Sequence, residues 1–307
     1  MEDKLGKLLL ILKPLTNSYQ KAADSTYGRL IRMSSYHVYL LLFLPTWCAI
    51  WMADQNDDLL QRSLLCLVFA IGAFLTRSAG CIINDIFDKQ FDGKVERTKS
   101  RPLVTCNVKP SEAIVLASVM LGLSAIILLV LPDRVFYVGI IAFIMMIIYP
   151  LSKRFTNLPQ LVLGFTFNLG ILMAWLTVSD SQFFQLAMLY MAFSLLTFGY
   201  DTIYACQDIE DDEAAGVKSF PLFIKSQGRE IKDVVWHIYK LSFTCLGIAG
   251  LGIGLGSSFY LSLAGSLYII SNSLDGANIE DANSCYEHFK KVALVLSLLF
   301  FGIVFGK

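Results

Sequence analysis

Two clusters of acidic residues have types and spacing suited to chemistry. The first cluster contains Asn84, Asp85, Asp88 and Asp92. If this segment is helical, Asn84, Asp88 and Asp92 recur at every fourth residue, each about 40° from the next at 100° per residue. Arg77, about two turns earlier, would lie on the same face. Oxygen ligands at this spacing suit Mg²⁺, which takes a few protein oxygens together with water and phosphate oxygens.

The second cluster repeats the spacing of the first at a later point in the chain. The positions that correspond at one constant offset are 77 with 201, 84 with 208, 88 with 212 and 94 with 218. We interpret this as an internal duplication of a four-helix unit, which would bring two acidic stripes to face each other over a central cavity. Such paired stripes are what a diphosphate bound through Mg²⁺ would need.

The composition of the chain indicates a membrane protein with many spans. Its 307 residues are 55% hydrophobic and only 16% charged, whereas soluble domains carry roughly 25% charged residues. A spanning helix needs about 20 mostly apolar residues, and the sequence predicts an all-α protein with about nine transmembrane helices. The predicted spans are Tyr36–Ala53, Leu59–Ile83, Ser111–Leu131, Val135–Pro150, Leu158–Val178, Phe183–Ala205, Val234–Gly256, Phe259–Leu274 and Val292–Phe305. We therefore predict a cytoplasmic or interfacial segment over residues 1–35 and a single transmembrane domain over 36–307.

The distribution of basic residues predicts the orientation of these spans. Lys and Arg together number 25 and balance 25 Asp and Glu, but most of the basic residues precede the first span or lie in every second loop. Because short cytoplasmic loops are enriched in Lys and Arg, the N-terminus and both acidic clusters are predicted to be cytoplasmic. The N-terminal residues contain acids and no arginine-rich presequence, which favours a bacterial inner (plasma) membrane over an organelle. Nothing in the charge pattern indicates nucleic acid as a partner.

Basic residues accompany both acidic clusters on the predicted cytoplasmic side. Solvated loop acids and positive-inside topology would explain such charges without any function. Arg77 argues against this alternative, because an ionised group about two turns inside a span requires a cavity and a partner. Metal ions together with Arg and Lys are the groups that neutralise a departing diphosphate. The other candidates of this kind are Arg97, Arg101, Lys153, Arg154 and Lys218.

Three motifs in the chain resemble those of a known enzyme family. The first is Asn84-Asp85-x-x-Asp88-x-x-x-Asp92, followed by Arg97-Thr98-x-x-Arg101-Pro102. The second is Tyr200-Asp201-Thr-x-Tyr204-Ala-x-x-Asp208-x-x-x-Asp212, followed by Gly216-x-Lys218-Ser219, and the third is Tyr149-Pro-x-x-Lys153-Arg154-x-Thr156-x-Leu-Pro159-Gln160. Together they resemble the signatures of the UbiA superfamily of intramembrane prenyltransferases, and most closely its 4-hydroxybenzoate polyprenyltransferase branch.

The resemblance implies both an architecture and a reaction. It implies a bundle arranged like soluble isoprenyl synthases, embedded in the lipid bilayer. It also implies Mg²⁺-dependent transfer of a polyprenyl group from polyprenyl diphosphate to an aromatic acid, most closely 4-hydroxybenzoate in ubiquinone biosynthesis. By this resemblance the metals would be bound by Asn84, Asp88, Asp208 and Asp212, with Asp85 and Asp92 in support. Diphosphate would be held by Arg77, Arg97, Arg101, Lys153 and Lys218, and the aromatic acid would be held or oriented by Arg154 and Asp201.

The chain departs from the family pattern at two places. Arg32 is followed by Met33-Ser34-Ser35-Tyr36, where family members usually have an Asp-basic-Pro sequence, and Asn168 stands where a small residue is common. Since the first span borders the acceptor pocket in the family, a different aromatic acceptor, such as that of menaquinone synthesis, is an alternative.

Two other classes of membrane protein also place acids at helix ends. A CDP-alcohol phosphotransferase would need the sequence D-x-x-D-G-x-x-A-R, but Asp88 is followed by Lys89. A cation-coupled transporter would place its acids near the membrane midplane, whereas these clusters lie at the predicted boundary. Both alternatives therefore fit less well than prenyl transfer.

Overall fold

The computed structural model describes residues 18–53, 58–93, 98–214 and 216–307. Every regular element within these ranges is helical, which confirms the predicted all-α fold. The α-helices are α1 Thr26–Leu30, α2 Tyr36–Ala53, α3 Leu59–Asp92, α4 Pro110–Leu129, α5 Asp133–Phe155, α6 Pro159–Phe167, α7 Leu169–Val178, α8 Phe183–Ala205, α9 Ile209–Ala214, α10 Phe220–Ser226, α11 Ile231–Ile253, α12 Ser257–Asp275 and α13 Ala282–Gly306. A 3₁₀ turn over Cys206–Asp208 joins α8 to α9.

Eight helical segments of the described chain are long and apolar enough to cross a membrane. They are Tyr36–Ala53, Leu59–Gln90, Pro110–Leu129, Asp133–Phe155, Pro159–Val178, Phe183–Ala214, Ile231–Ile253 and Ala282–Gly306. These segments correspond to eight of the predicted spans and confirm a polytopic membrane protein. The remaining prediction, Phe259–Leu274, does form a helix, but the serine-rich α12 is less apolar than the other eight. The orientation of the N-terminus stays a prediction.

Helix ends follow the local chemistry of the sequence. Pro159 occupies the first position of α6, where its missing N–H costs nothing. Asp281 caps α13 by accepting hydrogen bonds from the amides of Asn283 and Ser284. Helix α11 ends at Gly254, whose φ of 81° lies in the left-handed region that glycine adopts without strain.

The described chain packs as two compact units, the first formed by residues 1–36 and 75–123. Within its described part, this unit contains α1, the end of α3, the segment that follows residue 97 and most of α4. Its small apolar core includes Leu30, Ile82, Leu103, Val108 and Ala113. This core fixes the last turns of α3, which carry the first acidic cluster.

The second unit is formed by residues 37–74 and 124–307. Helix α8 is central to it and packs against α6, α11 and α13, while α12 packs on α13. Trp175, Phe193, Tyr239 and Phe259 are fully buried in its core. The core thereby holds α8, which leads into the second acidic cluster. The division into a cytoplasmic or interfacial segment over residues 1–35 and one transmembrane domain over 36–307 stays a prediction.

The fifth span is interrupted at Asn168, between α6 and α7. The two hydrogens of the Asn168 side-chain amide are shared among three acceptors, namely the carbonyl of Gly164 at 2.9 Å, the carbonyl of Phe193 at 3.2 Å and the Thr197 hydroxyl at 2.8 Å. Asn168 is buried, so these bonds satisfy an amide that would otherwise be costly inside the bundle. The polar residue that departs from the family pattern therefore ties α6 to α8.

Candidate active site

Helix α3 continues without a break to Asp92, so the predicted acidic stripe forms. Asp85 and Asp88 are each only 2% exposed, and Asp92 is also buried. On a continuous helix Asp85 and Asp92, seven residues apart, differ in direction by about 20°. They therefore share one side of the stripe, while Asn84 lies on the other side of Asp88.

Arg101 joins the two acids that share this side. Its Nη1 atom lies 3.0 Å from Asp85 Oδ1 and 2.5 Å from Asp92 Oδ2. Asp85 Oδ1 also accepts from Arg32 Nη2 at 2.6 Å. Charge-assisted bonds of this kind compensate buried carboxylates for the water they have lost. Burial raises the pKa of the Asp92 carboxyl above its usual range, and the Arg101 charge opposes that rise.

Local structure explains how the two arginines reach the acids. The Thr98 hydroxyl donates to the Asp92 carbonyl at 2.9 Å, and the Arg101 amide donates to the Thr98 carbonyl at 3.0 Å, so this turn is attached to the end of α3. Arg32 follows α1 with a φ of 55°, a left-handed conformation that is uncommon for residues other than glycine. Backbone strain of this kind persists where surrounding contacts hold it, and the bond to Asp85 is one such contact.

The donor set of α3 fits Mg²⁺ without forming a closed cage. Asn84 and Asp88 lie one turn apart, at a separation where two side chains can reach one ion. In the described ranges no three His, Cys, Asp or Glu side chains form a metal-binding group. Mg²⁺ usually binds through one or two carboxylates with water and substrate phosphates, so two oxygen donors on one helix suit it.

The second acidic cluster differs from the first in its backbone. Asp201 lies in α8, Asp208 ends the 3₁₀ turn and Asp212 lies in α9. A 3₁₀ turn has about three residues per turn instead of 3.6, so the directions of these acids differ from those on a continuous α-helix. Asp201, Asp208 and Asp212 are all partly exposed. The equal spacing therefore does not produce equal local geometry.

A short loop after α9 brings two of the predicted basic residues together. Gly216 turns the chain with a φ of 66°, and the Lys218 amide donates to the Lys153 carbonyl at 3.0 Å. Two residues later the Phe220 amide donates to Gln160 Oε1, also at 3.0 Å. The second and third sequence motifs thus meet within the second unit.

Aromatic rings pack beside the second cluster. The ring of Phe289 lies 4.6 Å from that of Tyr204 and 5.5 Å from that of Tyr200. Tyr286 stacks on Phe289 and contacts His37 through a 3.3 Å hydrogen bond. These contacts attach the end of α8 to α13 and hold the helix that carries Asp201.

The remaining predicted residues are placed as follows. Arg77 is partly buried in α3, and Arg154 is exposed at the end of α5. Arg97 and Lys94 lie outside the described residues.

The first cluster belongs to the first unit and the second cluster to the second unit, and their facing arrangement stays a prediction. The sequence predicts no role for Arg32 or Gln160, because no local pattern indicates a bond to a residue more than 50 positions away.

Comparison with known proteins shows the family of the chain. The family model described as "UbiA prenyltransferase family" matches residues 42–301. The chain belongs to the UbiA prenyltransferase family. This membership confirms the resemblance of the three motifs and favours prenyl transfer over the phosphotransferase and transporter alternatives.

Curated relatives in this family carry one recurring name. A 4-hydroxybenzoate octaprenyltransferase of Pseudomonas putida is 35% identical over 297 residues, which cover 96% of this chain and 97% of the relative. A mitochondrial 4-hydroxybenzoate polyprenyltransferase of Schizosaccharomyces pombe is 36% identical over 271 residues, covering 86% of this chain and 75% of the relative. The similarity to the bacterial relative extends over nearly the whole of both chains.

Solved structures of UbiA homologues share the fold. The apo structure of a homologue from Aeropyrum pernix K1 has a TM-score of 0.73 at 20% identity, covering 88% of this chain and 97% of the homologue. A homologue from Archaeoglobus fulgidus, solved with GPP and Mg²⁺, has a TM-score of 0.60 at 19% identity, covering 91% of this chain and 100% of the homologue. The chain therefore has the UbiA fold.

Proposed function

We propose that this chain transfers a polyprenyl group from polyprenyl diphosphate to an aromatic acid, with Mg²⁺ as cofactor and 4-hydroxybenzoate as acceptor. Its bacterial and yeast relatives are both named as 4-hydroxybenzoate prenyltransferases, which supports this choice of acceptor. In the structure the proposal rests on the end of α3. There Asn84 and Asp88 share one face, while Arg101 holds Asp85 and Asp92.

We assign the acids two different roles. Asn84 and Asp88 in the first cluster, and Asp208 and Asp212 in the second, would be the metal ligands. Asp85 and Asp92 would support them, because their ion pairs with Arg101 fix the end of the helix. Mg²⁺, when bound, supplies positive charge that stabilises the diphosphate as it leaves.

The reaction breaks one bond and forms another. The bond between the allylic carbon and the diphosphate oxygen breaks, and its electron pair leaves on the diphosphate. The ring carbon ortho to the phenol oxygen then bonds to the allylic carbon, and the ring proton passes to water or to the released diphosphate. Basic residues would stabilise the departing charge, namely Arg77, Arg97, Arg101, Lys153 and Lys218. Arg101 already contacts two carboxylates, whereas Lys218 is exposed beside the Lys153 carbonyl, so Lys218 is the stronger candidate for direct contact.

The aromatic acid would be held by the remaining two predicted residues. A guanidinium binds a carboxylate through paired hydrogen bonds, which is the role we assign to Arg154. Asp201 lies three residues before Tyr204 on α8 and would orient the phenol. Arg154 is exposed at the end of α5, within the third sequence motif.

We place the enzyme in a membrane as a multi-pass protein, with the inner membrane of a bacterium as the proposed site. The eight apolar helices support membrane insertion, and the bacterial relatives support the compartment. The cytoplasmic N-terminus is proposed from the positions of the basic residues.

An acceptor panel tests the proposed function. Isolated membranes that contain the protein would receive one labelled polyprenyl diphosphate with 4-hydroxybenzoate, dihydroxynaphthoate or homogentisate. We expect a prenylated product mainly with 4-hydroxybenzoate, lost on chelation by EDTA and restored by MgCl₂. A product formed preferentially with another acceptor would overturn the acceptor assignment, and no product with any acceptor would overturn prenyl transfer to these aromatic acids.

A further inference from the structure

Gln160 makes a long-range contact that no local pattern in the sequence indicates. Its Oε1 atom, in the first turn of α6, accepts a 3.0 Å hydrogen bond from the backbone amide of Phe220, 60 positions later in the chain. Gln160 is 7% exposed and Phe220 is also buried. The bond is therefore made away from water, where losing it would leave the Phe220 amide unsatisfied.

This bond is one of two that attach the segment 218–220 to the α5–α6 turn. The other is the 3.0 Å bond from the Lys218 amide to the Lys153 carbonyl. The two donors are the amides of Lys218 and Phe220, which come directly before and directly after Ser219. Because Gly216 precedes the segment in an open, left-handed conformation, these two bonds set the path of the chain through Lys218.

The attached segment carries polar groups that the fold itself does not use. Lys218 is exposed. Ser219 is only 3% exposed, and its hydroxyl has no hydrogen-bond partner within the described residues. Ser219 also stands at the N-cap of α10 without capping it through its side chain. Buried polar groups are nearly always satisfied, and an exception calls for an explanation such as a role in the site.

We infer that Gln160 is a positioning residue that holds Lys218 and Ser219 in place to bind the diphosphate of the donor. This inference rests on the proposed function. A binding group is effective only when its support holds it within about 0.5 Å of the productive position. Gln160 supplies that support through the backbone, so its effect reaches substrate only by way of Lys218 and Ser219.

The test compares three substitutions at position 160 in the full-length protein in detergent. Gln160→Leu removes the acceptor at similar size, Gln160→Asn keeps an amide that is too short to reach, and Gln160→Glu keeps an acceptor oxygen. We expect Gln160→Leu and Gln160→Asn to raise the KM for polyprenyl diphosphate by about tenfold. The dissociation constant for inorganic diphosphate with MgCl₂, measured by calorimetry, should rise in parallel. Gln160→Glu should restore both values to within about threefold of wild type.

A matched control separates positioning from general stabilisation. The Gln185 side chain also bonds to the backbone of another helix, in this case by donating to the Gly252 carbonyl, but it lies at the opposite end of α8 from Asp201. Gln185→Leu should leave diphosphate affinity unchanged. The KM for the aromatic acceptor should change less than twofold in every position-160 variant, because Lys218 is assigned to the donor.

A double-mutant cycle gives the sharpest outcome. If Gln160 acts through the Lys218 segment, adding Gln160→Leu to Lys218→Ala should cost little further diphosphate affinity, whereas independent roles would give additive losses. Folded Gln160→Leu or Gln160→Asn protein with wild-type diphosphate affinity, or full additivity in the cycle, would overturn the inference. Failure of wild-type protein to bind diphosphate or to transfer a prenyl group would overturn the proposed function, and the inference would fall with it.

Discussion

Arg101 and Asp85 form an ion pair at the end of α3, with 3.0 Å between Nη1 and Oδ1. The same nitrogen lies 2.5 Å from Asp92, so one guanidinium serves two buried carboxylates. Removing one partner of a buried ion pair leaves an uncompensated charge. The stability of the end of α3 should therefore depend on Arg101 more than on any exposed arginine.

Arg101→Met is expected to destabilise the protein by on the order of 3 kcal/mol, because Asp85 and Asp92 lose a shared partner. Thermal unfolding in detergent would measure this as a lower Tm. Arg229→Met, at an exposed arginine, should leave the Tm unchanged. Adding Asp92→Asn to Arg101→Met should recover part of the loss, since it removes one unpaired charge. An Arg101→Met protein with wild-type Tm would refute the structural role of this pair.

Asp88→Ala and Asp208→Ala are each expected to reduce Mg²⁺-dependent prenyl transfer by at least a hundredfold, because each removes a proposed metal ligand. The measurement is product formation in membranes at several MgCl₂ concentrations, with the amount of inserted protein determined in parallel. Asp211→Ala is the matched control, since Asp211 is an exposed acid of the second cluster with no assigned role. Near wild-type turnover in either variant would remove that residue from the metal site.

The acidic stripe on α3 could be predicted from sequence because it depends only on helical periodicity. The segment from Arg77 to Asp92 contains neither Pro nor a helix-breaking turn signal, and the helix continues through it. The membrane spans could also be predicted from sequence, since the length of an apolar stretch is a local property. Local patterns of this kind account for the correct part of the prediction.

The parts that sequence did not reveal depend on long-range contacts. Arg32 pairs with Asp85 across 53 positions, and Gln160 bonds to Phe220 across 60. The 3₁₀ turn over Cys206–Asp208 contains no Gly or Pro that would signal a break in the helix. The sequence therefore predicts that the second cluster repeats the geometry of the first. Asn168 departs from the family pattern, but no local pattern indicates that its amide joins two helices.

Asn168→Leu is expected to lower the Tm, because the carbonyl of Phe193 and the hydroxyl of Thr197 each lose a buried donor. The cost should be roughly 1–3 kcal/mol, the usual penalty for unsatisfied buried groups. Thr244→Val is the matched control for Thr197→Val, since the Thr244 hydroxyl donates to the Lys240 carbonyl of its own helix on an exposed face. In a double-mutant cycle, Asn168→Leu and Thr197→Val should be coupled, and strict additivity would contradict a shared hydrogen bond.

Gly164→Ala is expected to destabilise the contact between α6 and α8. A Cβ atom at position 164 would collide with the Ser194 carbonyl oxygen, which belongs to a backbone that cannot rotate away. The helices would have to separate, and overpacking of this kind typically costs 1–3 kcal/mol. Gly122→Ala provides the control, because a Cβ there meets nothing within 4 Å and alanine favours the helix. Thermal unfolding should show a lower Tm for Gly164→Ala and an unchanged or higher Tm for Gly122→Ala. Equal Tm values for the two variants would show that α6 and α8 do not approach as closely as Gly164 permits.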